Sequence, residues 1–129
     1  MKKNELIFIG HIQESIKNIE DFVEEISKEQ FLKDKEKQHA VVRAIEVIGE
    51  ATKNIPDEIR NRYPSIPWRD MAGMRDKIIH GYFMVDFETV WLVVKVEVPK
   101  LKKQMREIME AEKKENKRER RGILEIHMR

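Results

Sequence analysis

The sequence predicts an all-α protein, an antiparallel four- to five-helix up-and-down bundle. Three observations predict it. Charged residues make up 39% of the chain, which suits long solvated helices. Turn-forming residues are scarce, with five Gly and four Pro in 129 residues. Apolar residues recur at alternating spacings of three and four in several segments, which draws one stripe along a helix.

The elements follow in order. Ile9, Ile12, Ile16, Ile19, Val23 and Ile26 give the first helix, from about Asn4 to Ser27. Val41, Ile45, Ile48, Ala51 and Ile55 give the second, from about Asp34 to Asn54, stopped by Pro56. Asp57 to Tyr63 suits a short helix, and Pro64-Ser65-Ile66-Pro67 reads as a rigid connector. Ser65 or Pro67 opens the next helix, expected from Trp68 to Ile79 and ending near Gly81. Asp86 is a good N-cap for the last helix, whose stripe runs through Phe87, Trp91, Val94, Val98, Leu101, Met105 and Ile108. Pro99 should kink or split it. The β-branched run Val90 to Val98 could suit a strand, but the stripe continues at helical spacing on both sides. Beyond Ala111 the stripe ends and a frayed helical tail is expected. The division is therefore a helical domain over 1–111 and a charged C-terminal tail over 112–129.

Composition excludes several functional classes. With no cysteine there is no disulfide scaffold, Cys-ligated zinc or thiol nucleophile. No apolar run reaches the roughly 18 residues of a membrane span, and no long apolar stretch follows Met1, so neither a membrane anchor nor a signal peptide is expected. A cytoplasmic protein is the default. The net charge of +2 hides an uneven distribution. Residues 1 to 40 carry seven basic and nine acidic side chains, whereas residues 100 to 121 carry ten and five. The basic stretch hints at a polyanionic partner.

One segment concentrates chemistry: Met71-Ala72-Gly73-Met74-Arg75-Asp76-Lys77-Ile78-Ile79-His80-Gly81-Tyr82. On a continuous helix Asp76 and His80 are four apart and face each other, so the carboxylate could orient the imidazole. Arg75 and His80 are roughly 140° apart around such a helix. Arg plus His, without a thiol or metal cluster, suits RNA phosphodiester cleavage. The RNA 2′-hydroxyl is a built-in nucleophile beside the phosphorus. An imidazole, with its ordinary pKa near 6.5, suits removal of its proton, and a guanidinium fork suits the charge growing on the phosphoryl oxygens. In-line displacement also wants an acid at the leaving group, which a two-fold dimer would supply as a second His80.

Plainer readings exist for each residue. Asp76 can pair with Lys77 or Arg75 at the surface, His80 can serve a helix C-terminus, and Tyr82 can cover the end of the bundle. Arg43, Glu46, Val47 and Glu50 share one face of the second helix, either as a solvated, salt-bridged face or with Arg43 and Glu50 lining a cleft. Trp68 and Trp91 suit core or interface anchors. His11 and His39 have no partners at ligand spacing, so no metal site is expected. The seven Met suit gap-filling in the core. The basic tail is either a solvated face or an aid in holding RNA.

Arg75-Asp76-Lys77-Ile78-Ile79-His80-Gly81-Tyr82 resembles the Arg-x4-His-x-Tyr motif of HepT-like toxins, in the HEPN superfamily. The likeness extends to Arg43 through Ala51 and to Trp68, Gly73, Met74, Val85, Asp86, Val90 and Trp91, and covers roughly Leu6 to Leu101. It implies a HEPN-like bundle that forms a homodimer. It also implies a cofactor-free, metal-independent endoribonuclease with Arg75 and His80 catalytic and Asp76 supporting them. The RNA ends would be a 2′,3′-cyclic phosphate and a 5′-hydroxyl. It further implies a toxin–antitoxin pair whose minimal nucleotidyltransferase attaches AMP to Tyr82. An adenylated phenol two residues past His80 would obstruct the site and repel RNA phosphates.

Two other readings remain. One is a non-catalytic HEPN module that binds a nucleotide or partners a nucleotidyltransferase as an adaptor. The other is a helical scaffold that binds nucleic acid through its tail.

Overall fold

The computed structural model describes residues 3–80 and 84–128, with the side chains of residues 3, 4 and 80 outside that description. A 3-10 turn, Lys3–Leu6, leads into α1 (Ile7–Val23), whose edge of Ile9, Ile12, Ile16, Ile19 and Val23 is buried. A short helix that the stripe does not announce, α2 (Lys28–Lys33), follows. A capping box starts it: Ser27 Oγ accepts from the Gln30 N–H at 3.1 Å, and Gln30 Oε1 accepts from the Ser27 N–H at 2.8 Å. This helix drives Phe31 fully into the core, where its ring lies 5.3 Å from that of Trp91. Burying a phenyl ring contributes about 1.5–3 kcal/mol, which explains why so short a helix holds its place.

Helix α3 (Lys35–Lys53) starts at Asp34, whose carboxylate accepts from the Lys37 N–H at 3.1 Å. Its C-terminal end is closed from α4 (Asp57–Arg62), where Arg60 donates to the Thr52 carbonyl at 2.6 Å and the Ile55 carbonyl at 3.1 Å. Helix α5 (Trp68–Ala72) opens after Pro67, and the Trp68 indole donates to the Tyr63 carbonyl at 3.0 Å. Helix α1 packs on α3 and on α8 (Val98–Met128), while α5 and α6 (Met74–Ile78) pack on α3. The architecture is the all-α bundle read from the sequence.

Around the motif the chain departs from the expected single helix over Trp68 to Ile79. It breaks at Gly73 and resumes as α6 (Met74–Ile78). It then becomes extended: β1 (Ile79–His80) pairs antiparallel with β2 (Met84–Val85), Ile79 opposite Val85 and His80 opposite Met84. The Asp86 N–H closes the ladder on the Ile78 carbonyl at 2.7 Å. Neighbouring β-branched side chains at Ile78, Ile79 and Val85 favour that extended exit. The helical four-residue relation between Asp76 and His80 therefore does not apply, because the backbone is extended at His80. Gly81, the expected helix terminator, lies outside the described residues.

Asp86 caps α7 (Phe87–Leu92) as expected, its carboxylate accepting from the Glu88 N–H at 3.1 Å, the Thr89 N–H at 3.2 Å and the Thr89 hydroxyl at 2.8 Å. A π-helical stretch, Val93–Glu97, then joins α7 to α8 (Val98–Met128), and the Val98 N–H donates to the Val93 carbonyl five residues back. This is how the chain accommodates Pro99, which can donate no hydrogen bond. Val90, Val94 and Val98 are spaced four and four, and a wider turn keeps them on one buried face.

The tail also differs from expectation. Helix α8 continues to Met128 rather than fraying after Ala111. Glu112, the first tail residue by sequence, is 1% exposed. Both its oxygens accept from Arg62 Nη1, at 2.8 and 2.9 Å, and Oε1 also accepts from the Tyr63 hydroxyl at 2.8 Å. Position 112 continues the Leu101, Met105, Ile108 line, so an acid occupies an apolar slot and is satisfied there by α4 and the residue after it.

Glu112→Ala should cost about 2–3 kcal/mol in urea denaturation, because hydrogen bonds to a buried charge are lost. Burial and the bond to Glu112 push the Tyr63 phenol up from 10.0 to about 12. The folded state thus keeps a proton that the unfolded chain releases above pH 10. That stabilisation is complete below pH 10 and lost as pH rises through 12. Denaturation at pH 9 and 11.5 should show a steeper fall for the native sequence than for Tyr63→Phe.

Candidate active-site cleft

The exposed face of α3 presents Arg43, Glu46, Glu50 and Lys53 at spacings of three and four, the neighbour positions of one helix face. Opposite stands the junction of α5 and α6, with Ala72, Arg75 and Asp76. Together with Gly49 these residues line a cleft of about 270 Å³. The sequence-predicted Arg75, Asp76, Arg43 and Glu50 are therefore brought together in one place, although 25 residues separate Glu50 from Arg75 in the chain.

Gly49 makes this meeting possible. A Cβ on Gly49 would lie 3.3 Å from the Ala72 carbonyl oxygen and 3.6 Å from that of Met71. The two helices touch backbone to backbone, and the cleft sits directly beside that contact. Met71, Met74 and Ile78 are buried behind it, so the rest of α6 faces outward with Arg75 and Asp76 exposed.

The charges in the cleft are not equivalent. Arg43 pairs with Glu46 at 3.5 Å and Lys53 with Glu50 at 3.4 Å, both within α3. Exposed pairs of this kind are weak and exchange readily with solvent. Among the described residues Arg75 has no ion-pair or hydrogen-bond partner. No carboxylate among the described residues occupies the guanidinium that α6 contributes to the cleft.

His80 has its backbone placed in β1, two residues beyond the end of Arg75's helix. Its side chain and all of Tyr82 lie outside the described residues. Trp68 is buried in the core and Trp91 is half-buried against Phe31, with Lys95 4.7 Å over its ring. His11 meets Phe8 edge-on at 5.7 Å, and His39 is exposed. Among the described residues no group of three or more His, Asp or Glu is arranged to hold a metal ion. No helix among them is long and apolar enough to cross a membrane.

Two cleft residues, Lys53 and Gly49, are absent from the sequence reading. Lys53 is findable, since it lies ten residues from Arg43 and three from Glu50 on the same face. Gly49 carries no such signal, because its role depends on a helix that begins nineteen residues later.

Comparison with known proteins places this cleft in context. The family model described as ribonuclease HepT-like matches residues 12–108. A protein of Thermococcus cleftensis named as a probable ribonuclease HepT is 51% identical over 102 residues, covering 79% of this chain and 93% of that protein. A protein of Methanocaldococcus jannaschii named as a candidate RNase is 45% identical over 108 residues, covering 84% of this chain and 89% of the relative. A third relative, also from Methanocaldococcus jannaschii, carries a gamma-glutamylcyclotransferase as well; it is 46% identical over 110 residues, which span 85% of this chain and 50% of that protein. No solved structure matches.

The backbone contact at Gly49 predicts a matched pair of stability changes. Gly49→Val should destabilise by about 1–3 kcal/mol through overpacking. Gly10→Ala, in α1 with nothing within 4 Å of the new Cβ, should stabilise by about 0.5–1 kcal/mol through helix propensity. Thermal denaturation of both variants checks the pair.

Proposed function

Because the chain belongs to the HepT-like ribonuclease family, we propose that it is a metal-independent endoribonuclease acting as the toxin of a toxin–antitoxin pair. The observation that carries the reading is the guanidinium of Arg75 at the cleft, which no carboxylate among the described residues occupies, three residues of helix and one of strand ahead of His80. With no ion pair to break among the described residues, the fork can take a phosphate in two parallel hydrogen bonds.

The reaction is a transesterification within the RNA. The 2′-oxygen forms a bond to the adjacent phosphorus as the bond from phosphorus to the 5′-oxygen breaks. The 2′-hydroxyl proton goes to the imidazole of His80. The departing 5′-oxygen takes its proton from His80 of a second copy across the cleft of a homodimer. Arg75 stabilises the charge on the non-bridging oxygens in the transition state. The products are a 2′,3′-cyclic phosphate and a 5′-hydroxyl. Asp76, Arg43 and Glu50 support the site, with the two α3 side chains forming the wall that faces Arg75.

Inhibition follows from the place of Tyr82 in the sequence, two residues past His80. AMP attached to the Tyr82 hydroxyl by a minimal nucleotidyltransferase, with release of pyrophosphate from ATP, sets a fixed negative phosphate two residues from His80. It competes for the cation that the substrate phosphate needs. The protein acts in the cytoplasm, where its RNA substrate is found.

RNA cleavage by purified protein should persist in EDTA. Arg75→Ala should lower it by about 10²–10³-fold and His80→Ala by about 10²–10⁴-fold. Equal cleavage by all three proteins, or none by any, refutes the reading. Partner binding that survives both substitutions, with no cleavage, supports the adaptor instead. Mixed with the nucleotidyltransferase and ATP, the chain should gain the mass of one AMP, and Tyr82→Phe should not.

A further inference from the structure

Beyond the family match, which ends at residue 108, α8 runs on to Met128, and its side chains from Lys113 onward are exposed except for the partly buried Asn116. The sequence of this stretch is charged, but its charges are sorted by face. At 100° per residue, Lys113, Lys114, Lys117, Arg118, Arg120 and Arg121 fall within one sector about 160° wide. Glu112, Glu115 and Glu119 fall within a separate sector about 60° wide. That acidic sector continues the buried line of Leu101, Met105 and Ile108, and Glu112 shows what it does: it turns toward α4 and binds Arg62 and Tyr63. Glu115 and Glu119 flank the pocket of Arg62 and Tyr63 beside Glu112, with Lys114 and Arg118 at its edge, which leaves Lys113, Lys117, Arg120 and Arg121 on the outward side.

The cationic sector extends back along the packed half of the helix through exposed Lys103 and Arg106, where Glu107 and Glu110 interrupt it. From Lys103 to Arg121 the face is about 27 Å long.

We propose that this outward face of α8 binds the phosphate backbone of the RNA strand beyond the cleft. The inference rests on the reading of the chain as a protein that acts on RNA. The face has the composition for a polyanion and not for a protein partner. Between Lys113 and Arg121 there is no apolar or aromatic side chain to anchor a protein interface. The same lack of aromatic groups leaves no platform for stacking bases, so the contact is to backbone charge and is indifferent to sequence. A single strand laid along the face would meet cations on successive helical turns.

The test uses a 20-nucleotide 2′-O-methyl RNA, which lacks the attacking hydroxyl and is not cleaved. Its affinity is measured against salt concentration for the full chain, for Lys113→Gln/Lys117→Gln/Arg120→Gln/Arg121→Gln combined, and for Arg75→Ala. Circular dichroism verifies that the combined variant keeps its helix. Each phosphate contact on a single strand contributes about 0.7 to the log–log salt slope. The combined variant should therefore lose about 2–3 from the slope and bind roughly 10–100-fold more weakly near 0.1 M salt. Arg75→Ala should lose at most about 0.7. With cleavable RNA, the loss in the combined variant should fall on KM more than on kcat.

An unchanged slope overturns the proposal, as does a loss confined to kcat. So does capture of the chain on anionic phospholipid vesicles that the four substitutions abolish while RNA binding stays the same. Should the native chain cleave no RNA yet the slopes differ as stated, the α8 face stands and the nuclease reading falls.

Discussion

The contact between the Gly49 α-carbon and the backbone of α5 is the constraint on which the cleft depends. Helix pairs ordinarily stand 8–10 Å apart, held off by side chains. Here a side chain on Gly49 would begin only 3.3 Å from the Ala72 carbonyl oxygen and 3.6 Å from that of Met71. That closeness sets the distance between the charged face of α3 and the helix of Arg75, and it leaves a gap of about 270 Å³ rather than an open groove. Everything on the far side of α6 supports the placement: Met71, Met74 and Ile78 are buried, so α6 cannot roll without exposing apolar surface.

The geometry also divides labour among charges. A cleft lined by three cations and three acids has little net field, so attraction for a phosphate comes from which cations are committed. Arg43 and Lys53 have carboxylate neighbours one turn away on their own helix. Arg75 has none among the described residues. A near-neutral cleft whose Arg75 guanidinium is uncommitted among the described residues would suit a site that holds a phosphate in one orientation, with long-range attraction left to surfaces elsewhere on the molecule.

Much of this was legible in the sequence, for reasons that differ by residue. The isoleucine stripe of α1, the Asp34 and Asp86 caps and the stop at Pro56 are local patterns that the fold obeys. The grouping of Arg43 and Glu50 with Arg75 and Asp76 was half legible: periodicity sets Arg43 and Glu50 on one face, which reads as a solvated face or as a cleft wall, and their meeting with Arg75 and Asp76 depends on where α5 and α6 pack. Three features were not. The β-ladder at His80 depends on Val85 returning to Ile79, a pairing that no helical pattern encodes. The burial of Glu112 depends on Arg62, fifty residues away in sequence. Helix α2 carries a local signal in Ser27 and Gln30, but its six residues are too few to show a stripe.

The π-helical stretch Val93–Glu97 has a consequence for how this chain can vary. Such a stretch behaves as one residue too many inside an α-helix, with everything after it turned to match. Wound as ordinary α-helix with no residue removed, Val93–Glu97 would rotate α8 by about 100° relative to α7. Leu101, Met105 and Ile108 would leave the core line, and the carboxylate of Glu112 would swing away from Arg62 and Tyr63. The 31 residues of α8 are thus aimed by five residues at its start. A one-residue deletion there returns the winding to α-helical and keeps that aim, whereas a further insertion should be tolerated only past residue 121, where the described side chains are exposed.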